Sequence, residues 1–256
     1  MPFVTAGYPS LELTAQIIGV LEEAGASIVE LGIPFSDPIA DGPVIAASMH
    51  EALLGGVTPE KVFSMAKRLR PHTRLGLVAM VSHSIVDRIG PERFFAEAAE
   101  AGMDGLIIPD IDLDTAAEVR PLADKHGLSF SLLIAPTTSP ARVARVVDLC
   151  TGFVYLLARV GITGERSEAP EIVQRVGALR ALTDLPIAAG FGIARPEHVA
   201  AVTRHADAAI VGSALVRRMS EAKDPVEAIR RFVGELADAL ALHGGAGESA
   251  ESAPGR

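Results

Sequence analysis

Glu30 stands in the apolar run Ser27-Ile28-Val29-Glu30-Leu31-Gly32-Ile33, where a buried strand would ordinarily carry Val or Ile. A carboxylate there costs several kcal/mol of desolvation unless it is paired or held protonated. It is either a glutamate neutralised by a basic partner or a carboxyl kept for proton transfer, and the apolar setting favours the second. The run leads into Pro34-Phe35-Ser36-Asp37-Pro38-Ile39-Ala40-Asp41-Gly42-Pro43, whose prolines restrict the backbone around two aspartates. Asp37, in a Ser-Asp-Pro stretch, reads as a turn cap. Asp41, eleven positions after Glu30, is the stronger catalytic candidate. A strand end and the loop arching over it can bring two carboxyl groups to opposite sides of one substrate, as general acid–base chemistry requires. Gly161-Ile162-Thr163-Gly164, Gly190-Phe191-Gly192 and Gly212-Ser213 follow late in the chain. Each glycine alone is a turn. Together they predict a cradle of backbone N–H groups for a phosphate.

Short β-rich runs alternate with stretches whose apolar residues recur every three or four positions, the pattern of βα units. Strands are predicted at Phe3–Ala6, Ser27–Ile33, Leu75–Val81, Gly105–Pro109, Ser129–Ala135, Phe153–Ala158, Pro186–Ala189 and Ala208–Val211. Amphipathic helices are predicted at Leu11–Glu23, Pro59–Arg70, Pro91–Ala101, Thr115–His126, Pro140–Leu149, Ile172–Leu182, Pro196–Arg204 and Val226–Leu242, among others. The continuous apolar strands are those of a parallel sheet covered on both faces. Eight such units in 256 residues favour an α/β fold built as a single (β/α)8 TIM barrel over residues 1–242. Residues 243–256 have almost nothing to bury and are expected to be a disordered tail. In this barrel the residues after strands six, seven and eight are the glycine turns, at the end where such folds do chemistry.

Composition narrows the partners. With 49% hydrophobic and 21% charged residues the chain can bury a core, and its net charge of −9 repels phosphate backbones and anionic lipid, arguing against nucleic acid and membrane surfaces. No apolar run reaches the roughly 18 residues of a membrane span. The single Cys150 cannot form an internal disulfide, and Met1-Pro2-Phe3 opens no signal peptide, so a cytoplasmic location is expected. Chemistry is narrowed by the same route. The lysines, Lys61, Lys67, Lys125 and Lys223, fall in helical or loop patterns, which excludes a Schiff-base lysine on a strand. Of the seven histidines only His83 lies near a strand end, so no metal site is expected. A chain without Trp and with only Tyr8 and Tyr155 lacks the aromatic platforms of a glycosidase. No G-x-G-x-x-G follows the first strand, which leaves a dinucleotide site unsupported. Cys150 ends a helical pattern and reads as a core filler.

The segments Phe3-Val4-Thr5-Ala6-Gly7-Tyr8-Pro9, Glu30 to Pro43, Ala135-Pro136-Thr137-Thr138 and Gly190-Phe191-Gly192-Ile193 together resemble the tryptophan synthase alpha chain family, in register from Phe3 to about Leu242. The resemblance implies retro-aldol cleavage of indole-3-glycerol phosphate to indole and glyceraldehyde 3-phosphate, without a cofactor, in tryptophan biosynthesis. It implies that Glu30 protonates indole C3 and handles the side-chain hydroxyl proton, and that Asp41 accepts a hydrogen bond from the indole N–H. It implies a phosphate cradle of Gly164, Gly192, Gly212 and Ser213, an indole pocket of Phe3, Ile45, Tyr155 and Phe191, and a closing loop that carries Thr163. It also implies a PLP-dependent beta chain as partner, in an alpha2beta2 tetramer.

The chain departs from the family pattern in three places. Ser82-His83-Ser84 stands where a Tyr-Asn-Pro stretch is common, and Asp110-Ile111-Asp112 where Asp-Leu-Pro is usual. The sequence also opens directly on its first strand, where the family commonly has a preceding helix. The first two lie on the surface that would meet a beta chain. They leave open a stand-alone lyase that releases free indole, or a non-catalytic barrel that only activates a beta subunit. The intact Glu30 and Asp41 favour the enzyme.

Overall fold

A computed structural model describes residues 1–38, 42–157, 168–190 and 192–244. Strands β1 (Phe3–Thr5), β2 (Ile28–Gly32), β3 (Gly76–Met80), β4 (Gly105–Ile107) and β5 (Ser129–Ser131) pair in parallel in that order. A second parallel set comprises β6 (Leu133–Ile134), β7 (Val154–Leu157), β8 (Ile187–Gly190) and β9 (Ala208–Ala209). The two arcs share a stave. β5 and β6 are halves of one predicted strand divided at Leu132; Ser129 pairs with Gly105 on one side and Leu133 with Tyr155 on the other. At the opposite seam the Phe3 N–H donates to the Val211 carbonyl at 2.9 Å, and the Val211 N–H donates to the Met1 carbonyl at 3.1 Å. Among the described residues nine strand segments thus make the eight staves of a (β/α)8 barrel. The eighth predicted strand is shorter than expected, with Val211 joining as an isolated bridge to Pro2.

Helices α1 (Leu11–Glu23), α2 (Pro43–Leu54), α3 (Pro59–Leu69), α4 (His83–Ile89), α5 (Pro91–Glu100) and α6 (Leu113–His126) wrap the first arc. Helices α7 (Pro140–Leu149), α8 (Glu168–Arg180), α9 (Pro196–Thr203), α10 (Ser213–Glu221) and α11 (Pro225–Gly244) wrap the second. Their starts are written locally. The Ser10 hydroxyl accepts from the Leu13 N–H, and the Asp112 carboxylate accepts from Asp114 and Thr115. Proline in the first turn pre-sets φ for α2, α3, α5, α7 and α9, where a missing N–H costs nothing. The last helix continues past Leu242 to Gly244. The predicted tail from residue 245 onward lies outside the described residues.

Alternation along each strand divides two cores. Val29 and Leu31 join the large cluster beneath the helices with Ile17, Ile18 and Leu21. Ile28 packs into the barrel interior with Val78, Ile107, Phe153, Tyr155 and Ile210. Glu30 and Gly32 share the Ile28 face and therefore point inward. At the amino ends of the strands, two like fasteners hold the register. Asp104 accepts from the Leu77 N–H at 2.7 Å and pairs with Arg70 at 2.9 Å. Asp207 accepts from the Ile187 N–H at 2.7 Å and pairs with Arg180. None of the described helices is long and apolar enough to cross a membrane.

Candidate active site

At the carboxyl ends of the strands a cavity of about 440 Å³ opens between Phe3, Ile45, Tyr155, Gly192, Gly212 and Ser213. Leu133, Leu157, Met80 and Ile210 add to its apolar wall. Each of these residues arrives by a different route. Phe3 leaves β1 and lays its ring over Gly32, where a β-carbon would come within 2.5 Å of the ring. Ile45 is carried by the first turn of α2, and α2 is seated against β1 by a Thr5–Ser48 hydroxyl pair at 2.6 Å. The Ser48 hydroxyl also donates to the Ile45 carbonyl at 2.7 Å. Tyr155 is an interior residue of β7. Gly192, after β8, has φ +77, a conformation that a side chain would strain.

Glu30 lies on β2 two positions before the mouth, paired in register with Phe3 and Val78. Its side chain is fully buried, and neither carboxyl oxygen has a hydrogen-bond partner among the described residues. Burial raises its pKa from 4.5 to about 8, against a smaller opposing pull from the chain's amino terminus. The basic partner that would make it a structural glutamate is absent among the described side chains. At neutral pH it holds its proton and can donate it.

Next to Phe3, α10 begins at Ser213 after Gly212, where a β-carbon would lie 3.6 Å from the Phe3 β-carbon. The Leu215 N–H donates to the Gly212 carbonyl at 2.9 Å, which leaves the Ser213 and Ala214 N–H groups, at the positive end of the helix dipole, on residues that line the cavity. This is a ready site for an anion. The structure therefore brings together Phe3, Ile45, Tyr155, Gly192, Gly212 and Ser213, with Glu30 beneath. Asp41, Thr163, Gly164 and Phe191 lie outside the described residues. Arg217 and Arg218, which the sequence reading did not single out, also line the cavity. Their signal was present as two consecutive cations four and five positions after Ser213.

A second cavity, about 390 Å³, lies at the opposite end of the barrel among Met1, Ile28, Phe153, Leu236 and Leu240. The only carboxylate among its lining residues is Asp207, already engaged by Arg180. Glu30 lies between the two cavities, after Ile28 of the one and level in the ladder with Phe3 of the other. Cys150 is buried, accepts from the Leu132 N–H at 3.3 Å, and has its thiol pushed up to about 11 by burial. It is no nucleophile at neutral pH. Among the described residues no group of three His, Cys, Asp or Glu is placed to hold a metal ion.

The residues at which the chain departs from the family pattern are locally bound. The Asp110 carboxylate accepts from the Ser82 hydroxyl at 2.6 Å and the His83 N–H at 2.8 Å, tying the loops after β3 and β4 together. Asp112 is the α6 cap described above.

Comparison with known proteins gives a consistent result. A family model described as tryptophan synthase alpha chain matches residues 1–241. A tryptophan synthase alpha chain of Chloroflexus aggregans is 43% identical over 243 residues, covering 93% of this chain and 91% of its own length. One of Prochlorococcus marinus is 46% identical over 224 residues, covering 87% and 82%. Among solved structures, the tryptophan synthase subunit alpha of Legionella pneumophila superposes with a TM-score of 0.86 at 34% identity, covering 94% of this chain and 92% of that one. A tryptophan synthase of M. tuberculosis superposes with a TM-score of 0.84 at 31% identity, covering 93% and 90%.

Proposed function

This chain belongs to the tryptophan synthase alpha chain family, a lyase of tryptophan biosynthesis, and from that premise we propose that it cleaves indole-3-glycerol phosphate at the Glu30 cavity, with Asp41 as the second catalytic group. The reaction needs one proton delivered and one removed. Protonation of indole C3 makes the ring an electron sink with positive charge on its nitrogen. The hydroxyl on the adjacent side-chain carbon loses its proton as the carbon–carbon bond breaks, that carbon becomes the aldehyde of glyceraldehyde 3-phosphate, and the bonding electrons return to the ring as indole.

Glu30 supplies the first proton because burial keeps it protonated near neutrality, and its carboxylate then takes the hydroxyl proton. Asp41 holds the indole N–H and offsets the ring charge. Phe3, Ile45, Tyr155 and Phe191 make the slot for the bicycle, and Gly164, Gly192, Gly212 and Ser213 bind the phosphate through backbone N–H groups and the Ser213 hydroxyl. Thr163 closes the loop over bound substrate. The observation that carries this reading is the unpartnered, protonated Glu30 paired in register with Phe3, whose cavity is also lined by the α10 amino terminus. No step requires a cofactor.

The proposed partner is a PLP-dependent beta chain, in an alpha2beta2 assembly, with cytoplasmic residence. Indole release from indole-3-glycerol phosphate, measured with and without a beta chain, tests both activity and partnership. The expected result is slow release alone and acceleration on mixing. Fast release indifferent to the beta chain would mean a stand-alone lyase. No release, with the beta chain still activated, would overturn the catalytic reading.

A further inference from the structure

Arg217 and Arg218 bring two positive charges to the rim of the C-terminal cavity, and no Asp or Glu is among the described residues lining it. Arg218 is already committed. Its guanidinium carbon stands 3.6 Å from the centre of the Phe232 ring, and Nη1 donates to the Ala214 carbonyl at 3.2 Å. Arg217 is exposed and enters no side-chain hydrogen bond or ion pair among the described residues. It sits on α10 four positions after Ser213, one turn along the same face. Helical side chains lean toward the amino terminus, so a long side chain at 217 lies back over the turn that starts at Ser213. That turn carries the Ser213 and Ala214 N–H groups assigned to the substrate phosphate.

We propose that Arg217 is a further substrate-binding residue, whose guanidinium folds over the α10 amino terminus and contacts the phosphate oxygens from the solvent side. The inference rests on the reading of this cavity as the indole-3-glycerol phosphate site. Backbone amides satisfy oxygens facing the protein, while the planar guanidinium fork matches two oxygens facing out. In a chain of net charge −9, an uncommitted cation at the mouth also favours approach of an anionic substrate over a neutral one. Because the side chain is exposed, the contact is a modest one.

Steady-state kinetics of Arg217→Ala and Arg217→Lys test this, together with titration by inorganic phosphate, which needs no turnover. For Arg217→Ala the expected result is a KM for indole-3-glycerol phosphate raised about three- to tenfold with a smaller change in kcat. Phosphate affinity should fall in parallel and the salt dependence of kcat/KM should flatten, while the lysine variant recovers part of each. An unchanged thermal melting curve separates a lost contact from a lost fold. If the wild type cleaves the substrate and Arg217→Ala matches it in KM and phosphate affinity, the proposal is overturned and the cavity reading stands. If the wild type releases no indole, the cavity reading falls, and the phosphate titration alone decides for or against Arg217.

Discussion

Glu30 stands directly opposite Phe3 in the β1–β2 ladder, and both are buried. The pairing sets an acid one layer below an aromatic ring at the cavity mouth. In the proposed reading, the burial that keeps the acid protonated also keeps the base of the substrate slot dry, so binding and proton donation would share one cause.

That cause has a stability signature. The folded state holds the Glu30 proton to about pH 8, whereas an unfolded chain releases it near 4.5. The folded state therefore binds more protons between these values, so Glu30 is least unfavourable below pH 4.5 and costs stability as pH rises toward and through about 8. Glu30→Gln should remove this slope. Urea unfolding at pH 5, 7 and 8.5 should show a variant advantage that grows to the order of 3–5 kcal/mol.

Activity moves the other way. Glu30→Gln should lower kcat by about 10²- to 10⁴-fold, and Asp41→Asn by a comparable factor. For the wild type, kcat/KM should fall as pH rises through about 8, as the free enzyme's acid loses its proton. An indole-release assay across pH 6–9.5 checks both.

Gly32 is where the Phe3 ring rests. A β-carbon there would meet ring atoms at 2.5 and 2.7 Å. Gly32→Ala should cost about 1–3 kcal/mol and raise KM, and pairing it with Phe3→Leu should recover part of the stability loss. Denaturant unfolding of the single and double variants reads the coupling.

Asp104 and Asp207 each satisfy a strand N–H and an arginine at the floor of the barrel. Asp104→Ala should cost about 1–2 kcal/mol by leaving the Leu77 N–H unpaired, with kcat nearly unchanged because the site is at the other end. Thermal melting alongside the indole assay distinguishes these effects.

Legibility in the sequence followed how local each signal was. The strand order and α1 could be read because apolar periodicity and the Ser10 cap are short-range. Glu30 could be read because a carboxyl in an apolar run violates the pattern around it. Helices α2, α4 and α10 were not singled out, because Pro43, Ser82 and Gly212 read first as loop punctuation and only tertiary packing decides that a helix starts at each. The division of the fifth strand at Leu132 depends on which neighbour each half meets, and no residue type announces it. Arg217 escaped notice because an exposed arginine on an amphipathic helix has the look of an ordinary solvated face until the cavity beneath that face is seen.

The seam between Phe3 and Val211 joins the first stave of the barrel to the last. The chain must therefore be released from the ribosome at least as far as Val211 before the last pair of staves can meet. Until then the first arc is an open sheet with two unprotected margins. Refolding should accordingly pass through a partly assembled half-cylinder, and the final ring closure, with its long sequence span, should be the slow event.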